Sequence, residues 1–330
     1  MDILEITYMN LKLKNPIIVG SCGLTNSVDS IKELAENGAG AVILKSLFEE
    51  QIMMEMDKNM GSYDALNVHS EMYDYLKYFE KQHILGDYLK MIKDVKEAVD
   101  IPIIASINCM SSSEWTEFSK QIEIAGADGL ELNIFILPSD PKLKEGKIKS
   151  IYFDIIKEVT SSISIPVSIK ISHYFDNVAS TLQKFSQTKI EGMVLFNKFN
   201  APDIDIEKEE LMIELYSSSS SSDKSNALRW IGIMNNLVEC DLCATSGINS
   251  GEDVIKFLLA GASSVQIVSA IYKNSPAIIN ETLLEIESWM EKHSYNSIES
   301  FRGRLSTSTE ENSAIYERVQ FIKAISSLKS

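Results

Sequence analysis

Cysteine is scarce: Cys22, Cys109, Cys240 and Cys243 are the only four in 330 residues. A disulfide-stapled scaffold needs denser and more regular cysteines, so that class is excluded. Cys240 and Cys243 form a C-x-x-C pair, but residues three apart in a predicted strand face opposite sides. No second pair completes a zinc site, and no metal centre is read here. Positive charge is also in deficit, with 31 Lys and Arg against 47 Asp and Glu and a net charge of −16. Such a surface repels phosphate backbones and anionic lipid, which excludes nucleic acid and membranes as partners. A few lysines inside a pocket still suit a small anionic substrate. No apolar run approaches a membrane span. The opening MDILEITYMNLKLKNP has no long apolar core and no small-residue cleavage site, so the expected location is the cytoplasm. A G-x-G-x-x-G turn is missing too: GSCGLT follows PIIVG without that spacing, against an open dinucleotide-binding sheet.

What is present is a recurring unit. ENGAGAVILKS, IAGADGLELNI, TKIEGMVLFN and LAGASSVQIVSA each join a helical pattern to a short apolar run. The glycines at the joints are Gly38, Gly126, Gly192 and Gly261, all expected in the left-handed conformation that closes a helix. The runs behind them are apolar on both faces, as buried parallel strands are. IPIIASIN and IPVSIKIS add strands that begin at Pro102 and Pro166, where proline is tolerated. With PIIVG and LCATSG, the strands fall near 16–20, 41–46, 102–108, 129–134, 166–172, 192–197, 241–247 and 263–270. Helical patterns such as SVDSIKELAEN and GEDVIKFLLA fill the gaps. Eight alternating units predict a (β/α)₈ TIM barrel.

Ahead of it, ITYMNLKLK alternates around Met9–Asn10. It reads as a hairpin placed to plug the bottom of the barrel. The chain reads as one domain over 1–330, with its core at about 5–290 and a helical tail at 291–330. Insertions at 47–85 and 198–223 follow strands two and six, on the face where barrel enzymes build their sites. The second holds the serine run Ser217 to Ser222, which reads as a flexible loop or as a lid over the pocket.

Polar residues at the C-terminal strand ends point into the mouth. They are Ser21, Cys22, Lys45, Ser46, Asn108, Asn133, Lys170, Asn197 and Lys198. Lys45 and Lys170 end apolar strands, where an unpaired ammonium is costly, so each needs a ligand or a carboxylate. In TSGINSGED, Gly247 and Gly251 allow close backbone approach, and Asn249 or Ser250 can cap the helix. With Ser269 and Ala270 after the eighth strand, this is the usual phosphate site of a TIM barrel.

These motifs resemble the dihydroorotate dehydrogenase family of flavin enzymes, from about residue 5 to residue 290. NLKLKNPIIVGSCGLT is similar to that family's opening hairpin and first strand, placing Ser21 and Gly23 at the cofactor. AVILKS resembles its second strand, whose lysine contacts the flavin ring; this implies that role for Lys45, beside Ser46. IASIN and VSIKIS put Asn108 and Lys170 on the flavin. SGINSGEDVIKFLLAGASSVQIVSA resembles the phosphate-binding end, with Gly247, Asn249, Gly251, Ser269 and Ala270. The resemblance thus implies bound FMN, oxidation of a CH–CH group in a small anionic substrate, a link to pyrimidine metabolism, and a homodimer. Without a cysteine cluster for an iron–sulfur centre, an electron-carrying partner would be a separate subunit.

The chain departs from the family at its fourth strand, Glu-Leu-Asn-Leu-Ser-Cys-Pro-Asn, whose cysteine (a serine in the membrane-bound class) is the base. Here the segment is ELNIFILPSD: Asn133 is kept, and Phe135, Ile136 and Leu137 stand where the base should be. No apolar side chain accepts a proton. Ser139 and Asp140 are the nearest replacements, or else ordinary turn caps. The family's Asn-Ser-Met-Gly-Leu stretch has MGSYDALN, ending at Asn67, as its nearest counterpart, and Asn197 is followed by Lys198. Three functions stay open: a flavin oxidoreductase using Lys45, Asn133 and Asn197 at the reacting centre; an FMN-binding protein without turnover, in a regulatory or assembly role; and a non-flavin barrel for another phosphorylated metabolite.

Overall fold

The computed structural model describes residues 3–50, 52, 54, 70–109, 112–197, 202–213 and 221–318. The chain opens with the hairpin β1 (Ile6–Tyr8) and β2 (Leu11–Leu13). Met9 and Asn10 join them with φ of 52° and 59°. Two consecutive positive φ values make the tight turn whose twist suits a two-residue hairpin. The barrel strands follow as β3 (Ile17–Val19), β4 (Ala41–Ile43), β6 (Ile103–Asn108), β7 (Gly129–Asn133), β8 (Val167–Ile171), β9 (Gly192–Leu195), β12 (Asp241–Thr245) and β13 (Ser264–Ile267). β5 (Leu47–Phe48) runs on beside β6. The spatial order β4-β3-β13-β12-β9-β8-β7-β6 closes through a β4–β6 pairing, so all eight predicted strands form one parallel barrel.

The β4–β6 seam is short, pairing only Val42 with Ile103 and Ile43 with Ile104. Beyond it the Tyr88 hydroxyl, carried on the helix Ser70–Ala98, donates to the Ser106 carbonyl and accepts from its N–H. A side chain thus completes backbone pairing that the short strand leaves open, as a buried peptide group requires.

At the N-terminal face, the strand starts need acceptors for their first N–H groups. Side chains supply them. Asn15 accepts from Ile17, Asp128 from Ile103 at 2.7 Å, Glu123 from Ile165, and Glu191 from Val167. Asp241 accepts from Met9 and from the Ser263 hydroxyl, fastening the plug hairpin.

The plug explains one departure from expectation. Gly38, Gly126 and Gly261 are left-handed, with φ of 101°, 96° and 117°, as expected of helix-closing glycines. Gly192 is not left-handed; it is the first residue of β9, and the preceding helix ends earlier, at Ser186. A Cβ there would lie 3.0 Å from both Met9 Cγ and the Tyr8 hydroxyl. Gly192 is therefore small to admit the plug rather than to end a helix.

The insertion after the sixth barrel strand is not a plain loop. It carries the antiparallel ribbon β10 (Pro202–Asp205) and β11 (Glu210–Ile213), with Ile204 opposite Leu211. Ser221 and Ser222 begin the helix Ser221–Met234, and Ser217 to Ser220 lie outside the described residues. The described part of the tail beyond 291 is only partly helical. A turn-rich stretch bonds back through Gly303 and Leu305 to Leu258 and Leu259 before the helix Glu310–Arg318. No described helix is long and apolar enough to cross a membrane.

Asp128 ties β6 to the helix Ser70–Ala98, because it also binds Lys96 Nζ at 2.7 Å through both oxygens. Asp128→Ala orphans the Ile103 N–H and should cost about 1–3 kcal/mol in urea unfolding. Asp128→Asn keeps an acceptor and should cost less than half as much. Equal losses would assign the effect to the partly buried ion pair instead.

Candidate functional site

The C-terminal mouth is built around one buried polar chain. Lys170 on β8 donates to Gln266 Oε1 on β13 at 3.0 Å. Gln266 Nε2 donates in turn to Glu131 Oε2 on β7 at 2.6 Å. Glu131 is 1% exposed. Burial raises its carboxyl above the ordinary value, and the Lys170 charge opposes that shift. The second carboxylate oxygen, Oε1, has no partner among the described residues. Lys170 is the end of the chain nearest the mouth, so its cationic head reaches the site while the compensating charge sits a layer deeper. Register makes this possible: Asn133 lies opposite Lys170 and Thr245 opposite Gln266, and alternate residues share the barrel interior.

On the other side of the mouth, hydroxyls link three strand ends. Ser21 Oγ lies 3.0 Å from Ser46 Oγ and accepts from the Ser46 N–H; Ser46 Oγ lies 2.7 Å from Ser106 Oγ. Lys45 is just past β4, its N–H on the Thr25 carbonyl. It also lines a cleft of about 460 Å³ between the helices Val28–Glu36 and Ser70–Ala98, alongside Tyr88, Asp87 and Asp94. No described contact brings Lys45 to Lys170. Gly23 begins a 3₁₀ turn against the Tyr272 hydroxyl, 2.8 Å from where its Cβ would be. Burial pushes the neighbouring Cys22 thiol up, away from thiolate character. Asn108 closes β6, opposite Phe48.

Between these sides, Asn197 Nδ2 donates to Asn133 Oδ1 at 2.6 Å, and its backbone N–H is fixed on Ile171. Asn197 also lines a cavity of about 100 Å³ with His173, Tyr174, Phe196, Asp223, Asn226 and Ser246. Ser246 holds φ of 75° and bonds the Phe196 carbonyl. A non-glycine residue in this region is uncommon and concentrates at functional sites. Ser139 and Asp140 are exposed on a turn, where the Asp140 carboxylate accepts the Lys142 N–H at 2.9 Å. Asn67 and Lys198 lie outside the described residues.

The expected anion site after β12 is partly taken up by the chain's own carboxylates. Asn249 N donates to Asp253, Gly251 N donates to Glu285 at 2.7 Å, and Ser250 caps Asp253 N. Lys224 completes the knot with a 2.6 Å pair to Asp253. Gly247 is left-handed at φ 77°, and a Cβ on it would fall 2.7 Å from Lys224 Cβ. Ser269 and Ala270 begin the short helix Ser269–Asn274, whose N-cap, Val268, makes no side-chain cap bond. Gly20 faces that turn, 3.0 Å from Val268 Cγ2 at its Cβ position.

The mouth thus combines a cation, paired amides, a string of hydroxyls and a tight backbone turn, a donor set suited to a flat heterocycle rich in carbonyl and ring-nitrogen acceptors. No group of three metal-ligating side chains occurs among the described residues. Sequence reasoning reached Lys170, Asn133, Asn197 and the serines, and missed Glu131, Gln266, Ser246 and His173. His173 stood two residues past an apolar strand, which was signal enough; the Glu131–Gln266 contact spans 135 positions and had none.

Comparison with known proteins bears on this geometry. The Dihydroorotate dehydrogenase family profile matches residues 77–290. The catalytic subunit of dihydroorotate dehydrogenase B (NAD(+)) from Thermoplasma volcanium is 27% identical over 322 residues, covering 92% of this chain and 98% of that one. Dihydroorotate dehydrogenase A (fumarate) from Lactococcus lactis subsp. lactis is 29% identical over 325 residues, covering 92% and 99%. The corresponding B catalytic subunit of Methanocaldococcus jannaschii is 26% identical, covering 88% and 94%. With a match over more than half its length and a closed parallel barrel beneath it, the chain belongs to the dihydroorotate dehydrogenase family.

Proposed function

We propose that this chain is an FMN-dependent oxidoreductase that acts on a CH–CH group of a small anionic substrate in pyrimidine metabolism. The observation that carries the reading is Lys170, a cation held at the mouth by Gln266 over a buried carboxylate. FMN, when bound, supplies the hydride acceptor. Lys170 holds the electron-rich edge of the ring, where a fixed positive charge in a dry site favours developing negative charge. We assign the opposite side of the mouth, with Ser21, Gly23, Lys45, Ser46 and Asn108, to the rest of the cofactor. Asn133 and Asn197, bonded to each other, orient the substrate. We assign the phosphate to Gly247 and to the Ser269–Ala270 turn. Asn249 and Gly251 support that end from behind, since their N–H groups already serve Asp253 and Glu285.

Phe135, Ile136 and Leu137 supply no base on the fourth barrel strand, and two of them, Phe135 and Leu137, are 42% and 49% exposed. That observation favours a second reading, an FMN-binding protein without turnover in a regulatory or assembly role. A flavin that substrate never reduces would select it, and a colourless protein that takes up no flavin would select a non-flavin barrel. Two relatives are catalytic subunits by name, which supports a separate electron-transfer partner. The family resemblance supports a homodimer, and the charge and hydropathy support a cytoplasmic location.

Purified protein should be yellow and release FMN stoichiometrically on denaturation. Ser269→Glu puts a carboxylate where the phosphate is assigned. It should lower FMN affinity at least tenfold, about 1.4 kcal/mol, with unchanged circular dichroism. Full flavin occupancy in that variant would move the phosphate elsewhere.

Dihydroorotate should be a poor substrate. Hydride transfer needs position and a charged pocket, whereas proton removal needs a base, which typically contributes about 10²–10⁴-fold. Anaerobic mixing with excess dihydroorotate should leave the flavin largely oxidised over seconds to minutes. Rapid bleaching would show a competent base in the family's usual orientation.

A further inference from the structure

Four histidines occur in the chain, and His173 is the one among the described residues that meets the mouth, just past β8. Its surroundings come from three barrel strands and a helix. Phe196 and Asn197 follow β9, Ser246 follows β12, and Asp223 lies in the first turn of the helix Ser221–Met234. The imidazole stacks on Tyr174 at 4.6 Å between centroids and meets Phe196 edge-on at 5.6 Å. The Phe175 N–H holds the His173 carbonyl in a tight turn at 2.9 Å. Ring and backbone are therefore both oriented. Asn197 shares the cavity and ties it to Asn133. On its outer side the ring borders a groove of about 510 Å³ that reaches Asp140 and Lys144.

We propose that His173 is the acid–base residue of this chain, replacing from the fifth barrel strand the base that the fourth lacks. The proposal rests on the flavin oxidoreductase reading above. Bound FMN would supply the acceptor for the hydride lost from one substrate C–H bond, and the step assigned to His173 is removal of the neighbouring proton. The neighbouring C–H proton bonds to an imidazole nitrogen, and the electron pair left behind becomes the C=C bond. The imidazolium then returns its proton to solvent. A base on the fifth strand meets the substrate from a different side than one on the fourth. The preferred substrate is thus an anionic CH–CH compound turned relative to dihydroorotate, in keeping with the slow dihydroorotate oxidation expected above.

The electrostatics agree with the geometry. Partial burial pulls the His173 pKa below its ordinary value, and Asp223 pulls the other way. Across the outer groove stand Asp140, Lys144 and Glu145, with Lys149 and Asp176 paired to each other. The ring is therefore neutral at neutral pH and able to accept a proton, with Asp223 placed to favour the imidazolium once it forms.

The test uses the FMN-loaded protein with two named probes. In the first arm, the His173 Cε1–H resonance is assigned by its loss in His173→Asn and followed by NMR on adding orotate, the oxidised form of dihydroorotate. It should shift, and its titration midpoint should rise beside the carboxylate. In the second arm, slow flavin bleaching by dihydroorotate is followed anaerobically over hours. Its rate should climb with pH through a midpoint below the ordinary histidine value of about 6.5. In His173→Asn it should fall by about 10²–10⁴-fold and lose that pH dependence, with free imidazole restoring part of it. An unmoved resonance overturns the assignment, as does equal bleaching in the variant, while a yellow protein leaves the flavin reading standing. A protein that takes up no flavin overturns both.

Discussion

A buried carboxylate reaching a lysine through one glutamine amide sets the terms for the whole mouth. Taking Glu131 out of water costs several kcal/mol unless charge and hydrogen bonds compensate. Here compensation runs through Gln266 to Lys170, so β7, β13 and β8 must all present the correct face inward at the correct height. A slip of one residue in any of them would turn its side chain outward. The polar chain therefore fixes register across the barrel and, with the same contacts, holds a cation at the opening. Removing Gln266 would leave both ends uncompensated, a larger loss than a single hydrogen bond.

The two faces of the barrel divide the work. At the N-terminal face, Asn15, Glu123, Asp128, Glu191 and Asp241 accept from backbone N–H groups, and the plug hairpin is fastened there. Part of the chain's excess of acidic residues thus has a structural use: the carboxylates finish strands that no neighbouring backbone completes. At the C-terminal face amides, hydroxyls, an imidazole and a lysine join a few carboxylates, and several of these groups face cavities rather than backbone. This is the separation expected of a TIM barrel, with stability at the bottom and chemistry in the loops at the top.

Legibility in the sequence followed the range of the interaction. The eight strands were readable because each is a short apolar run behind a helix, and Met9–Asn10 was readable because a two-residue turn is local. Gly192 was misread because its reason for being small, the Met9 and Tyr8 side chains, lies more than 180 positions away. The ribbon β10–β11 was missed because its apolar residues lie outside the core, with Ile204 and Leu211, opposite each other, 61% and 79% exposed. In TSGINSGED, glycine spacing pointed to free N–H groups, but it could not reveal that Glu285 and Asp253 would reach two of them first.

That self-capped turn bears on how an anion can be held at all. A helix N-terminus attracts a phosphate by its unpaired N–H groups and its dipole. In the helix Gly251–Ala260, two carboxylates already occupy that position, one of them neutralised by Lys224. A phosphate cannot share it without charge repulsion. What remains is the left-handed Gly247 and the Ser269–Ala270 turn, the backbone to which the phosphate is assigned above. The knot formed by Lys224, Asp253 and Asn249 holds Gly247 rigidly in that conformation, with Lys224 packed where any larger residue would put its Cβ. On the reading proposed above, the carboxylates give up the helix terminus as a binding site and in exchange preorganise the turn beside it, so that phosphate binding there would depend more on a fixed backbone than on net positive charge, which this acidic chain does not have.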